Sequence, residues 1–359
     1  MRIAFFEAKH RRYGKLITSS ADWYRCASPA SQLKKITNWH ISQFKDPFIN
    51  TSYKNWDELI SDFDILFCPY SIGPHSYMYL YSLSKKYRKK LVVDFDDNAW
   101  ELPQSTNFKK SHLGTSYFHI VLQIAQTAPF ITTTNISLAK KITYFSKNTN
   151  VSVLPNFVDL ENIYAYDSEP TIKKNITLVF FGSQSHEGDL NKSSFAQAVI
   201  KIVQSNSSIS VKTVGVRSHL FKQAIPKQYI FVKGAYGIDK WKKIWKKEVC
   251  SSDISLAPLV VSPFTRCKSP IKFFESAAAK LPFVCTDTLP YRGLVKQGKT
   301  GFLCKTEQDW YQALSLLIKN EELRKKVGNN AYIEVNKNWT IQKNIVKYKE
   351  FFEMIYNLQ

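Results

Sequence analysis

The feature that most constrains this chain is an alternation, kept up along its 359 residues, of short apolar runs with longer stretches of helical period. Parallel strands cannot be joined by tight turns, because each must return through a crossover that is usually a helix. The alternation therefore predicts βαβ units and parallel sheets rather than a sandwich or a bundle. Expected strands in the first half are Arg2 to Phe6, Asp64 to Cys68, Leu91 to Phe95, Phe130 to Thr134 and Val151 to Leu154. Helical stretches such as Ser76 to Tyr87 and Ser116 to Thr127 lie between them. The second half restarts with Ile176 to Phe181, then Ser210 to Val214, Tyr229 to Lys233, Ile254 to Ala257, Phe283 to Thr286 and Gly301 to Leu303.

A chain of this length is too long for one small core and suits two domains. Leu160 to Asn175 is polar, contains Pro170 and has no clean period, so it reads as the linker. This gives a first domain over 1–160 and a second over 161–337. After Asn338, Ile345, Tyr348, Phe352 and Ile355 recur at helical spacing, which predicts one amphipathic terminal helix over 338–359.

The formal charge of +21 favours polyanionic partners: anionic lipid headgroups, nucleic acid or a diphosphate-bearing substrate. There is no run of 18 apolar residues, and the opening MRIAFFEAKH lacks the apolar stretch of a signal peptide. The cysteines at 26, 68, 250, 267, 285 and 304 form no CxxC pair and have no clustered His partners, so no metal or redox site is expected. The expected address is a reducing cytoplasm, with the inner membrane face as a possible contact surface.

In open parallel sheets, ligands bind outside the carboxyl ends of strands, so the residues after each strand come first. The most informative stretch is Ser262 to Val284. There Arg266 and Lys268 precede Pro270, and a helix is expected from Lys272 to Ala279. A helix start beside cations suits a diphosphate, since free N–H groups, the helix dipole and full charges all point at the anion. Glu275, about one turn further on, is placed to accept hydrogen bonds from ribose hydroxyls. The bland alternative is that Arg266, Lys268 and Lys272 are solvated surface cations.

Asp94, Asp96 and Asp97 follow the apolar run Leu91 to Val93. They suit an acceptor hydroxyl across a cleft, an Asp-x-Asp metal site like that of a haloacid-dehalogenase phosphatase, or a helix cap. Tyr24 and Arg25 are candidates for the acceptor side, with core and surface roles as the alternative. His186, in a loop after a strand, is a candidate sugar or phosphate contact. In GIDKWKKIWKKEVC, Trp241, Ile244, Trp245 and Val249 share one helical face and Lys242, Lys243, Lys246 and Lys247 the others. The apolar face reads as core, against membrane insertion as the alternative. Lys85, Lys86, Arg88, Lys89 and Lys90 form a second basic run, read as a solvated face. No RNA or DNA motif accompanies the charge, and nucleic-acid binding stands as the rival from another class.

Several of these segments, in order, resemble glycosyltransferase family 4 and its relatives. DISLAPL at 253–259, RCKSPIKFFESAAAKLPFV at 266–284 and YRGLVKQGKTGFLCKTEQDWYQAL at 291–314 resemble the donor-binding half. VLPNFVDL at 153–160 resembles the end of the first domain, and FFGSQSHEGDL at 180–190 the first turn of the second. SADWYRCASPASQL and VDFDDNAWELP resemble a subgroup with Tyr-Arg near the start and Asp-Asp after a strand.

The resemblance implies a GT-B fold, in which two Rossmann-like, doubly wound α/β domains face a central cleft and the last helix crosses back to the first. It implies a nucleotide-sugar donor, a glycan, lipid-linked or other glycoconjugate acceptor, retention of configuration and no metal or other cofactor. Carried over by position, Lys268 contacts the donor diphosphate, Glu275 holds the ribose, and Gly182 and Ser183 let backbone approach the phosphates. A retaining reaction asks for no protein nucleophile, and the resemblance then gives Arg266 and Lys268 an electrostatic role at the leaving diphosphate. Two positions depart from the family. Cys267 stands where the first glutamate of a paired motif is expected, and Ser183, Gln184, His186 and Glu187 occupy a loop that usually carries Arg and Lys.

Overall fold

The structure is a computed structural model and describes all residues except 9–10, 13–14, 17, 47–55, 103–113, 166–174, 193 and 359. It contains two six-stranded sheets, each parallel throughout. In the first, β1 (Arg2–Glu7), β4 (His40–Lys45), β5 (Ile65–Pro69), β6 (Lys90–Phe95), β7 (Phe130–Thr133) and β8 (Val151–Val153) run in the order β4-β1-β5-β6-β7-β8. In the second, β9 (Ile176–Phe181), β10 (Ile209–Val214), β11 (Tyr229–Val232), β12 (Ile254–Ala257), β13 (Phe283–Thr286) and β14 (Phe302–Cys304) run in the order β11-β10-β9-β12-β13-β14. The two remaining strands, β2 (Arg11–Arg12) and β3 (Lys15–Leu16), pair as a small antiparallel ribbon.

Central strands are buried on both faces and so read as continuous apolar runs; every residue of Ile65–Pro69 and of Ile254–Ala257 is buried. The expected strands are therefore all present, with ends shifted by a residue at most. Among the described residues, the two-residue strands β2 and β3 and the edge strand β4 had no such signal. His40–Lys45 pairs only with β1, at the sheet edge, and only Ile41 and Phe44 in it are buried, so its polar residues His40, Ser42 and Gln43 mask it. The expected helices at Ser76 to Tyr87 and Ser116 to Thr127 appear as Pro74–Lys86 and Gly114–Thr127.

The terminal helix Ile341–Asn357 crosses back to the first domain. Its Ile345, Tyr348, Phe352 and Ile355 join Ile3, Phe5, Phe67 and Val92 in one buried cluster, and the Phe352 ring meets Phe5 edge-on at 5.6 Å. The crossing point is fixed by backbone, since Val158 N–H donates to Trp339 O at 2.9 Å and Ile341 N–H to Val158 O at 3.0 Å. Of the expected linker, residues 166–174 lie outside the described residues. Among the described residues no helix is long and apolar enough to cross a membrane.

The Lys-rich helix resolves one open choice. Trp245 is fully buried, Trp241 and Ile244 pack against the second-domain core, and Lys242, Lys243, Lys246 and Lys247 face solvent. Its aromatic face is core.

Candidate functional site

The second sheet has the order 3-2-1-4-5-6 in its own strand sequence, so its topological switch point lies between β9 and β12. At that point two adjacent strands send their connections to opposite faces, which leaves a crevice at their carboxyl ends. Gly182 follows β9 directly, and the loop after β12 carries residues 258–270.

Gly182 is one of a row of close-packed glycines. Its N–H donates to Val214 O at 3.0 Å, and Gly215 N–H donates to Val232 O at 2.9 Å. Gly215 has φ +86, and a Cβ there would lie 2.3 Å from Gly182 O. Only glycine fits that backbone and that approach. Gly215 was missed in the sequence, although a glycine immediately after a strand was the available signal.

Above this shelf stand Lys272 and His186. A Cβ on Gly182 would meet Lys272 Nζ and His186 Cδ2, each at 2.9 Å, so both side chains close over the missing methyl. Lys272 lies in the first turn of the helix Ile271–Ala278 and donates to Phe181 O at 2.5 Å, with its ammonium over the Phe180 and Phe181 rings. Burial lowers its pKa to about 8. His186 Nδ1 is 2.8 Å from Asp189 Oδ2, and Asp189 Oδ1 accepts from Val260 N–H at 2.7 Å, which ties the β9 loop to the β12 loop. Burial first, and then Lys272, lower the His186 pKa to about 4, so its imidazole is neutral at pH 7. Ser183 is exposed nearby, with its Oγ 2.6 Å from Ser185 Oγ.

Lys268 follows a 3₁₀ turn, Thr265–Cys267, on which Arg266 is exposed. Its Nζ lies 2.8 Å from both carboxylate oxygens of Asp97, across the interdomain cleft. The neighbouring loop is also held to the first domain. Asn135 Nδ2 donates to Cys267 O at 2.8 Å, and Asn156 Nδ2 donates to Ser269 Oγ at 3.0 Å. Cys267, at the position expected for a glutamate, is 1% exposed and packs into the first-domain cluster that contains Ala99, Trp100 and Leu138.

The acidic cluster is divided by tertiary contacts. Asp94, at the end of β6, is 1% exposed; its Oδ2 accepts from Arg25 Nε at 2.9 Å, and its Oδ1 accepts from Arg25 Nη2 and Thr132 Oγ1, both at 2.6 Å. Arg25 Nη1 donates to Leu154 O at 2.6 Å and to Asn156 Oδ1 at 3.0 Å. Arg25 lies in a π-helical turn, Trp23–Ala27, whose wider winding turns it inward. It was expected on the acceptor side and is placed instead in a buried ion pair. The phosphatase reading is overturned, because the fold is GT-B and Asp94 is bound to Arg25 and Thr132. Among the described residues no group of three His, Cys, Asp or Glu side chains is placed to hold a metal.

Asp96 and Asp97 are partly buried at the cleft. Burial, and then the charges of Asp97 and Asp94, raise the Asp96 pKa to about 7. Tyr24, the other expected acceptor residue, is 2% exposed and donates to Tyr164 Oη at 3.0 Å. Tyr164 donates in turn to Glu275 Oε1, which also accepts from Trp241 Nε1 at 2.9 Å. Burial raises the Glu275 pKa, while these hydrogen bonds oppose the shift. Tyr164 and Trp241 were not foreseen as partners of Glu275, because both come from distant segments.

Two Rossmann-like domains facing a cleft, with the terminal helix returning to the first, define the GT-B fold of glycosyltransferases. Residues 247–334, in the second domain, match the family described as glycosyl transferases group 1. Among solved structures, HepE from Anabaena, determined with UDP, is similar with TM-score 0.66 and 13% identity over 99% of this chain and 100% of that one. Sucrose-phosphate synthase from Thermosynechococcus elongatus is similar with TM-score 0.70 and 11% identity over 99% of each chain. A glycosyltransferase from Rickettsia africae is similar with TM-score 0.68 and 14% identity over 100% of this chain and 99% of that one. Comparison with curated protein sequences gives no match.

Proposed function

We propose that the protein transfers a sugar from a nucleoside diphosphate to an acceptor bound across the cleft. The observation that carries this reading is the convergence of Lys272, His186 and Gly182 at the switch point of the second sheet. Lys272 is a partly buried ammonium with three N–H groups, one of which donates to Phe181 O. A diphosphate seated over the Gly182 shelf takes the others and meets the start of the helix Ile271–Ala278. Lys268 is near enough for its charge to act on both His186 and Lys272, and the exposed Arg266 lies two residues before it. HepE, which was solved with UDP, supports a nucleotide in such a crevice by its likeness in fold.

In this reading the lysines take up the charge that grows on the leaving diphosphate, so no metal is called for. Ser183 and His186 line the phosphate side. A ribose hydroxyl donates to Glu275 Oε2, since Oε1 already accepts from Tyr164 and Trp241. Asp96 and Asp97, on the opposite wall, receive the acceptor hydroxyl. The hexosyl donor, retention of configuration and a glycan or lipid-linked acceptor follow from the family likeness. The solvent-facing lysines 242, 243, 246 and 247 suit an anionic inner-membrane surface near a lipid-linked acceptor.

The test is a donor screen, with thermal stabilisation and sugar release measured for UDP-, GDP-, ADP- and TDP-sugars. One responding nucleotide supports the reading. No response to any, with salt-sensitive binding to oligonucleotides, would favour the nucleic-acid rival instead. Product anomeric configuration by NMR tests retention.

A further inference from the structure

We propose that Asp97 is an internal stand-in for the donor diphosphate, holding Lys268 until a nucleoside diphosphate displaces it. The inference rests on the proposed function and adds to it a positioning role for Asp97.

Two carboxylates of the acidic cluster hold cations, and the two pairs differ in kind. Arg25 and Asp94 have side chains 2% and 1% exposed, and Arg25 is further fixed by Leu154 O and Asn156. Lys268 and Asp97 have side chains 25% and 29% exposed, so solvent or a ligand reaches both. Among the described residues, the hydrogen bonds of Lys268 Nζ go to Asp97 alone, and its flexible stem lets the ammonium swing without moving the backbone. The backbone of the same loop stays anchored by Asn135 on Cys267 O and Asn156 on Ser269.

Lys268 also stands between the two charge clusters. After burial, its charge adds to the lowering of the His186 and Lys272 pKa values on one wall, and on the other it opposes the rise of the Asp96 pKa. A diphosphate over Gly182 offers this ammonium more negative charge than one carboxylate does. Transfer of Lys268 to the phosphate then leaves Asp97 with two free acceptor oxygens facing the cleft.

The experiment measures affinity for whichever of UDP, GDP, ADP and TDP stabilises the wild-type protein. Asp97→Asn removes the competitor, and the dissociation constant is expected to fall about 5-fold, the scale of a partly exposed ion pair. Asp96→Asn removes a neighbouring charge that does not hold Lys268, and is expected to change affinity by less than half as much on a logarithmic scale. An unchanged constant in Asp97→Asn, or an equal gain in Asp96→Asn, overturns the exchange and leaves only a general field effect. Independently of any variant, a wild-type crystal with the nucleotide bound should show Lys268 Nζ on a phosphate oxygen and more than 4 Å from Asp97. Retention of the pair in that crystal overturns the proposal. If no nucleotide stabilises the wild type, it is the proposed function itself that fails.

Discussion

The two sheets meet the cleft with charge clusters that look alike in sequence and differ in state. At the end of β6, Arg25 and Asp94 are buried and bonded to one another and to Thr132, Leu154 and Asn156. At the end of β9, Lys272 is enclosed by Phe180 and Phe181 yet donates to one carbonyl, and His186 is held neutral beside it. The first cluster has its hydrogen-bonding capacity filled by protein and acts as architecture. The second keeps capacity in reserve, which is what a ligand site requires. Burial alone does not separate the two; saturation does.

The comparison is most easily broken through Arg25. Arg25→Ala leaves Asp94 charged and unpaired inside the first domain, and a loss of roughly 3–5 kcal/mol in unfolding free energy is expected by denaturant titration. Replacing the pair together, as Arg25→Met with Asp94→Leu, should recover most of it. If Arg25→Ala instead leaves stability intact and lowers acceptor turnover, the architectural assignment is wrong.

Lys272→Ala should do the opposite, sparing the fold and weakening nucleotide binding roughly 30-fold, as expected for loss of a charge-assisted hydrogen bond. Calorimetry against the stabilising nucleotide checks this. The same residue predicts a pH effect. With its pKa lowered to about 8, Lys272 is charged below that value and neutral above it, so donor affinity should hold to about pH 8 and fall beyond it. Lys272→Arg should move that fall to higher pH, since arginine keeps its proton.

The smallest expected effect concerns Asp96. Its pKa is raised from 3.8 to about 7 in the folded protein, so between those values the folded state binds more protons than the unfolded chain. Its contribution to stability is present below about pH 4 and is lost as pH rises to about 7. Asp96→Asn should flatten that part of the stability profile, read from melting temperatures at pH 4.5 to 7.5. An unaltered slope would mean that Asp96 ionises as an ordinary carboxylate and that the two clusters differ less than described.

The grouping of residues proposed for the donor was legible because it is local. Gly182, His186, Lys268 and Lys272 each follow a strand or open a helix, and the strand-end rule points to such positions without knowledge of the partner domain. The acceptor side was not legible in the same way. Tyr24 and Arg25 were expected to face a ligand, yet one is turned into the second-domain cluster and the other onto a carboxylate 69 residues away. Nothing in a local pattern shows that the hydrogen bonds of a cation are already taken. Cys267 carries the same lesson: its place in the motif suggested the sugar site, and the fold seats it in the core of the opposite domain.

The sequence by itself determined the alternation of strands and helices, the two parallel sheets and the amphipathic terminal helix, because hydrophobic period and burial on both faces are written in neighbouring residues. The tertiary structure alone decided which charges are spent. Arg25 with Asp94, Lys268 with Asp97, and Tyr164 with Glu275 are pairs made across long stretches of chain, and whether a buried polar group is satisfied depends on what the fold brings within 3 Å of it.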